Sequence, residues 1–224
     1  MITTGNFSSI NAFGPTASFL YDVRGILGSW LADLAAEQRE RGFVPWVVPD
    51  IMQHPSPPTA LWGDVVISLP WALYREYGDP EILRRGYDSM TAFLRQVEPL
   101  LDADGLWSTG FQYGDWLDPD APEDDAAGGK TDRHLVASAY LCRTTRELAQ
   151  VAEVLGRDAD VARFTELADR VRAAFRREYV TEAGRIASES ATAYALAIEF
   201  DILDPAQRAH AGDQLARLVS GAGY

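Results

Sequence analysis

A chain of 224 residues with 47% hydrophobic content can bury one sizeable core, and it holds no run of the roughly 20 apolar residues that a membrane-spanning helix needs. A net charge of −13, from 20 basic and 33 acidic residues, excludes the clustered Lys and Arg that a phosphate backbone demands, so neither nucleic acid nor membrane is an expected partner. Cys142 is the one cysteine, which rules out an internal disulfide and reads as a small core residue. Met1 to Ser9 carries no basic residue and leads into no apolar signal core, so a cytoplasmic location is expected.

Helix signals dominate in chain order. The first segment, Pro15 to Arg41, opens on a proline suited to a first helical turn and stops at Gly42. Its Phe19, Val23, Ile26, Leu27, Trp30, Leu31 and Leu34 follow helical spacing. A proline-rich loop follows, through Pro45, Pro49, Pro55, Pro57 and Pro58. A second helix is expected over Ala60 to Tyr77, and Asp79-Pro80 opens a third that runs to Leu101. After an irregular stretch from Asp102 to Lys130, a fourth helix starts near Asp132 and ends before Gly156. Asp158 caps a fifth, striped with Val161, Phe164, Ala168, Val171 and Phe175. A sixth covers Ser190 to Leu203, and Asp204-Pro205 opens a seventh. The second and sixth are apolar around most of their circumference, whereas the third, fifth and seventh are one-sided. Helices of the first kind lie inside and the others outside, so two layers are expected, as in an α/α toroid. No linker or domain boundary is visible inside the chain.

Several stretches together resemble the bacterial α-L-rhamnosidases. They are Ile10-Asn11-Ala12-Phe13-Gly14-Pro15 through Asp22, the loop Phe43 to Ile51 with Val48-Pro49-Asp50, and Trp62-Gly63-Asp64 continuing to Tyr74. Phe111-Gln112-Tyr113-Gly114-Asp115-Trp116-Leu117-Asp118-Pro119, then Lys130-Thr131-Asp132, and Thr192 to Ala197 complete the set. The resemblance implies an all-α fold, part of an (α/α)6 toroid, of which about seven helices leave a single chain incomplete. It also implies an inverting glycoside hydrolase acting on terminal α-L-rhamnosyl bonds. Such an enzyme uses one carboxylic acid on the leaving oxygen and one carboxylate to activate water.

The departures are as specific. The family places its general acid in a D-x-x-x-x-E…G-W-T-G-D stretch just before the first barrel helix, and Met1 to Ser9 does not match it. The expectation is a non-family segment over 1–9 and a truncated barrel domain over 10–224. The general-base glutamate of the family falls beyond Tyr224, and Ala191 stands where a glutamine is expected. The catalytic residues therefore stay open, with Asp64 and Asp115 the best candidates.

Read on its own chemistry, a sugar pocket wants aromatic faces for the ring and oxygens for the hydroxyls. Asp50, Trp62, Asp64, Tyr113, Asp115 and Trp116 supply both. Each also has a structural alternative. Asp64 suits a helix-start cap or an internal ion pair, Asp50 a plain cap, and the aromatic loop a pin to the core. The acidic run Asp118, Asp120, Glu123, Asp124 and Asp125 lacks a calcium-loop pattern and reads as a solvated face. His54, His134 and His210 form no pair at ligand spacing, so neither metal nor cofactor is expected. Two functional readings remain: a rhamnosidase-like fragment that binds a small sugar with weak or absent hydrolysis, and a repurposed hydrolase or non-catalytic remnant. An open barrel exposes apolar edges, so self-association as a homodimer is expected, with an interface above the standard ~1,600 Å².

Overall fold

The computed structural model describes residues 5–51 and 53–221. In chain order the elements are β1 (Gly5–Asn6), α1 (Phe7–Leu20), α2 (Arg24–Arg41), β2 (Val47–Val48), α3 (Val65–Tyr77), α4 (Glu81–Val97), a 3-10 turn (Glu98–Leu100), α5 (Arg133–Val154), α6 (Asp158–Tyr179), α7 (Ala191–Glu199) and α8 (Pro205–Gly221). The described residues form an all-α fold, with a small antiparallel pair that matches Gly5 to Val48 and Asn6 to Val47 and an isolated bridge between Val180 and Ile186. Of the segment expected to stand apart, residues 1–4 lie outside the described residues, Gly5–Asn6 form β1, and Phe7 opens α1.

The chain divides into two compact units, Met1–Leu100 with Thr144–Thr165, and Leu101–Arg143 with Glu166–Tyr224. Two of the boundaries cut α5 and α6 rather than a linker. In the first unit α1 and α4 both pack on α3, and α2 packs on α4. Val65, Val66, Ile67, Ser68, Leu69, Pro70 and Leu73 of α3 are all buried, so this helix is enclosed on most sides as its composition requires. Helix α4 is one-sided, burying Leu83, Tyr87, Met90, Phe93, Leu94 and Val97. Each large apolar side chain fully buried this way stabilises the fold by about 1.5–3 kcal/mol relative to exposure. The hydroxyl of Ser68 donates to Glu147 Oε2 at 2.6 Å, which satisfies a carboxylate only 7% exposed.

The expected single helix over Pro15 to Arg41 is two. Pro15 sits inside α1, and the chain breaks at Tyr21-Asp22-Val23. A distant residue accounts for the break. The Tyr77 hydroxyl oxygen accepts the Val23 N–H at 3.2 Å and lies 2.9 Å from the Tyr21 carbonyl and 3.0 Å from that of Ser18. Backbone groups that a continuous helix would pair internally are thus satisfied from outside. Asp22 then turns the chain by accepting the Arg24 N–H at 3.3 Å. The second expected helix also starts later, at Val65 instead of Ala60, because residues 60–64 form a tight turn.

In the second unit α7 packs on α8. Helix α7 ends at Glu199, short of the expected Leu203, and Asp201 adopts φ 55°. Its Ala193, Tyr194 and Ala197 are buried while Ala191, Ala195 and Glu199 are exposed. It is therefore less enclosed than its composition suggested. Caps read from sequence recur here. Asp132 Oδ1 accepts the N–H groups of His134 and Leu135 at 2.9 and 2.8 Å. Asp204 Oδ1 accepts that of Gln207 at 2.9 Å, and the Gln207 side chain reaches back to the Asp204 N–H. Of the stripe expected on α6, Phe164 in the first unit and Val171 and Phe175 in the second are buried, whereas Val161 and Ala168 are half-buried and Leu167 and Ala174 are buried instead.

Candidate functional site

The loop between the 3-10 turn and α5 belongs to the second unit and is folded by its own polar groups. Asp102 Oδ1 collects the N–H groups of Asp104, Gly105 and Leu106 at 2.9–3.0 Å. Burial alone would raise this carboxyl, but those donors and the Ser108 hydroxyl hold it below the usual carboxylate range. The turn delivers Trp107, 0% exposed, into the core. Further on, Gly114 has φ +65°, and a Cβ there would lie 3.0 Å from Arg133 Cβ and 3.2 Å from Arg133 Cα. Only glycine lets the loop lie this close to the first turn of α5.

Beside Gly114 three rings stand in a row. Phe111 and Tyr113 meet edge to face at 4.8 Å between centroids, and Tyr113 and Trp116 do so at 4.9 Å. Phe111 and Trp116 are 43% and 39% exposed, whereas the central Tyr113 is half-buried and its hydroxyl is pushed up by that burial. The row is an apolar stretch of the loop that is exposed at its two ends.

Asp115 lies between the two outer members of this loop and is half-buried. Its Oδ2 accepts the Thr131 hydroxyl at 2.7 Å. Thr131 Oγ1 in turn lies 2.7 Å from Ser190 Oγ, and Ser190 Oγ accepts the Ala193 N–H at 3.1 Å as the cap of α7. Thr131 and Ser190 are 3% and 4% exposed. The first two members of the acidic run downstream are tied into the loop. Asp118 accepts the N–H groups of Asp120 and Lys130 at 3.0 and 2.9 Å, and Lys130 also pairs with Asp120. Among the described residues no cluster of three or more His, Cys, Asp or Glu is placed to hold a metal ion, and no helix is long and apolar enough to cross a membrane.

The remaining candidates lie in the first unit. Asp64 is 0% exposed and Trp62 is 4% exposed. Asp64 Oδ2 accepts the Leu61 N–H at 2.6 Å, while Asn11 Nδ2 donates to the Leu61 carbonyl at 3.0 Å. Leu61 has φ 69°, an uncommon conformation for leucine that these two side chains hold from either side. Asp50 has a side chain 4% exposed and pairs with Arg41 at 3.0 Å. Its Oδ1 accepts the Gln53 N–H at 3.0 Å. The structure thus joins Tyr113, Asp115 and Trp116 in one loop, and it adds Thr131 and Ser190, which the sequence reading had only as a motif residue and a helix start.

The family model for the bacterial α-L-rhamnosidase six-hairpin glycosidase domain matches residues 4–224. The chain belongs to this family. Similar curated relatives are α-L-rhamnosidases from Streptomyces avermitilis, 33% identical over 210 residues, and Formosa agariphila, 32% identical over 212 residues. Each alignment takes in 94% of this chain but only 19% and 22% of the relative, so the chain spans about a fifth of their length. Among solved structures, native α-L-rhamnosidase from Aspergillus terreus superposes with a TM-score of 0.93 at 32% identity, covering 99% of this chain and 26% of that one. The Streptomyces avermitilis enzyme complexed with L-rhamnose gives 0.83 at 32% identity, covering 98% and 20%. The all-α fold is thus part of the six-hairpin glycosidase toroid.

Proposed function

We propose that this rhamnosidase-family chain carries a monosaccharide-binding surface for a terminal α-L-rhamnosyl group, built on Tyr113, Asp115 and Trp116. The observation that carries the reading is a carboxylate tethered by Thr131 on the same short loop as a row of rings exposed at both ends. A pyranose has an apolar face that stacks on an aromatic ring and hydroxyls that donate to an oxygen. Trp116 supplies the ring, and Asp115 offers Oδ1 while Oδ2 is held by Thr131. The rhamnosidase relatives, one of them solved with L-rhamnose, support the choice of sugar. Asp50, Trp62 and Asp64 are not assigned to this surface: in the first unit Asp64 holds the Leu61 turn, Asp50 pairs with Arg41 and Trp62 is buried.

Hydrolysis with inversion takes two carboxyl groups about 6.5–9.5 Å apart, and this reading assigns one. The chain alone is therefore a binder with weak or no turnover, since loss of general acid catalysis alone costs about 10²–10⁴-fold. The test is calorimetric titration with L-rhamnose alongside aryl rhamnosides and phosphate, sulfate and carboxylic esters. Saturable L-rhamnose binding that Trp116→Ala largely removes supports the reading. Equal affinities in both proteins overturn it, and ester turnover abolished by Asp115→Ala would favour a repurposed hydrolase.

A further inference from the structure

We infer that Thr131 and Ser190 are positioning residues: a one-way chain of hydroxyl donors, rooted in the first turn of α7, that fixes the Asp115 carboxylate for its ligand. The inference rests on the proposed role of Asp115 as a sugar-hydroxyl acceptor.

The direction follows from counting protons. The Ala193 N–H is one of the unpaired donors of a helix start, and it is given to Ser190 Oγ at 3.1 Å. Thr131 has a single hydroxyl proton and two oxygen neighbours, Asp115 Oδ2 and Ser190 Oγ, each at 2.7 Å. A carboxylate oxygen has no proton to offer. If Thr131 gave its proton to Ser190, two lone pairs would face each other at 2.7 Å across the Thr131–Asp115 gap. Thr131 therefore donates to Asp115, and Ser190 donates to Thr131. Every link points the same way: Ala193 N–H to Ser190, Ser190 to Thr131, Thr131 to Asp115.

Burial gives the chain its purpose. Thr131 and Ser190 are 3% and 4% exposed, which leaves little room for water to replace either hydroxyl, so each bond restrains the next. Asp115 is half-buried at the end of the chain. With Oδ2 tied, the carboxylate plane is set and Oδ1 is turned to a fixed direction, ready to accept ligand hydroxyls without first losing rotamer freedom. Thr131 and Ser190 need not touch the sugar. They act through Asp115.

The experiment uses the whole chain with Thr131→Val, Thr131→Ser and Ser190→Ala, and reads two quantities. The first is the ¹³Cγ resonance of Asp115 without ligand. It shifts in Thr131→Val, which keeps the side-chain shape but has no proton to give, and returns in Thr131→Ser. The second is affinity for L-rhamnose. It falls about tenfold in Thr131→Val, the scale of one hydrogen bond to a charged group, returns in Thr131→Ser, and falls by a smaller factor in Ser190→Ala, where Thr131 keeps its proton for Asp115. Melting curves show that each variant is folded, and should Thr131→Val not fold, Ser190→Ala and Thr131→Ser carry the comparison. An Asp115 resonance indifferent to Thr131→Val, or an affinity lost equally in Thr131→Ser, overturns the inference. If wild type binds no L-rhamnose while the ligand-free resonance behaves as expected, the sugar reading fails and the donor chain stands.

Discussion

Replacing Gly63 with alanine tests how tightly the Trp62-Gly63-Asp64 turn is built. A Cβ on Gly63 would lie 2.2 Å from Phe93 Cε2 and 2.7 Å from Cζ, where carbon pairs normally rest about 3.5–4.0 Å apart. The ring must retreat by more than about 1 Å. Phe93 is 2% exposed, and Met90 and Val97 on the same helix are 0% exposed, so little free space is within reach. Overpacking of this kind costs about 1–3 kcal/mol. Gly63 is not at positive φ, so alanine recovers about 0.4–1 kcal/mol by restricting the unfolded chain. So short an approach puts the cost at the upper end of that range, so the net loss is about 2 kcal/mol, which for a chain of this size lowers the melting temperature by roughly 4–8 °C. Circular dichroism melts of Gly63→Ala and of Gly63→Ala/Phe93→Leu measure it. The smaller leucine makes room, so the double variant loses less than the sum of the single losses, by about 0.5 kcal/mol or more. An unchanged melting temperature in Gly63→Ala, or strict additivity in the pair, refutes the packing argument.

Tyr179 gives an alkaline signature. Burial, followed by the charges of Asp132 and Glu178, pushes its hydroxyl up to about 12. A folded-state value above the ordinary one near 10 stabilises the fold fully below about pH 10, and that stability is lost as pH rises through about 12. Melts across this range should fall less steeply in Tyr179→Phe than in wild type; parallel curves would contradict the assignment. Self-association is expected from the first unit, where Phe13, Phe19, Leu20, Tyr21 and Ile26 are 57%, 77%, 54%, 69% and 50% exposed. Light scattering at micromolar concentration should report about twice the chain mass of 24.7 kDa, and a stable species at the single-chain mass rules the dimer out.

Helix starts were legible wherever a short polar side chain caps its own helix. Asp132 and Asp204 do so within three residues, and Asp79 accepts the Glu81 N–H that opens α4. The break at Tyr21 to Val23 was not legible, because the group that satisfies it is Tyr77, 54 residues from Val23. Leu61 is similar: its left-handed backbone depends on Asn11, 50 residues away. For the site, the aromatic residues and Asp115 stood out as residue types that bind sugars. Thr131 and Ser190 did not, since a lone hydroxyl has many ordinary uses and their meeting spans 59 residues. The signal that was available is local: Ser190 precedes an apolar helical run and caps it, and Thr131 sits just before the Asp132 cap. What brings the two together is the packing of the second unit.

Sugar binding by Asp115 and Trp116 is tested most directly by following the backbone amides of the isotopically labelled chain during titration with L-rhamnose. Saturable shifts concentrated at residues 111–117 and at Thr131 and Ser190, lost in Trp116→Ala, are the expected result. Shifts confined to other residues, or a spectrum unchanged at saturating sugar, would contradict it.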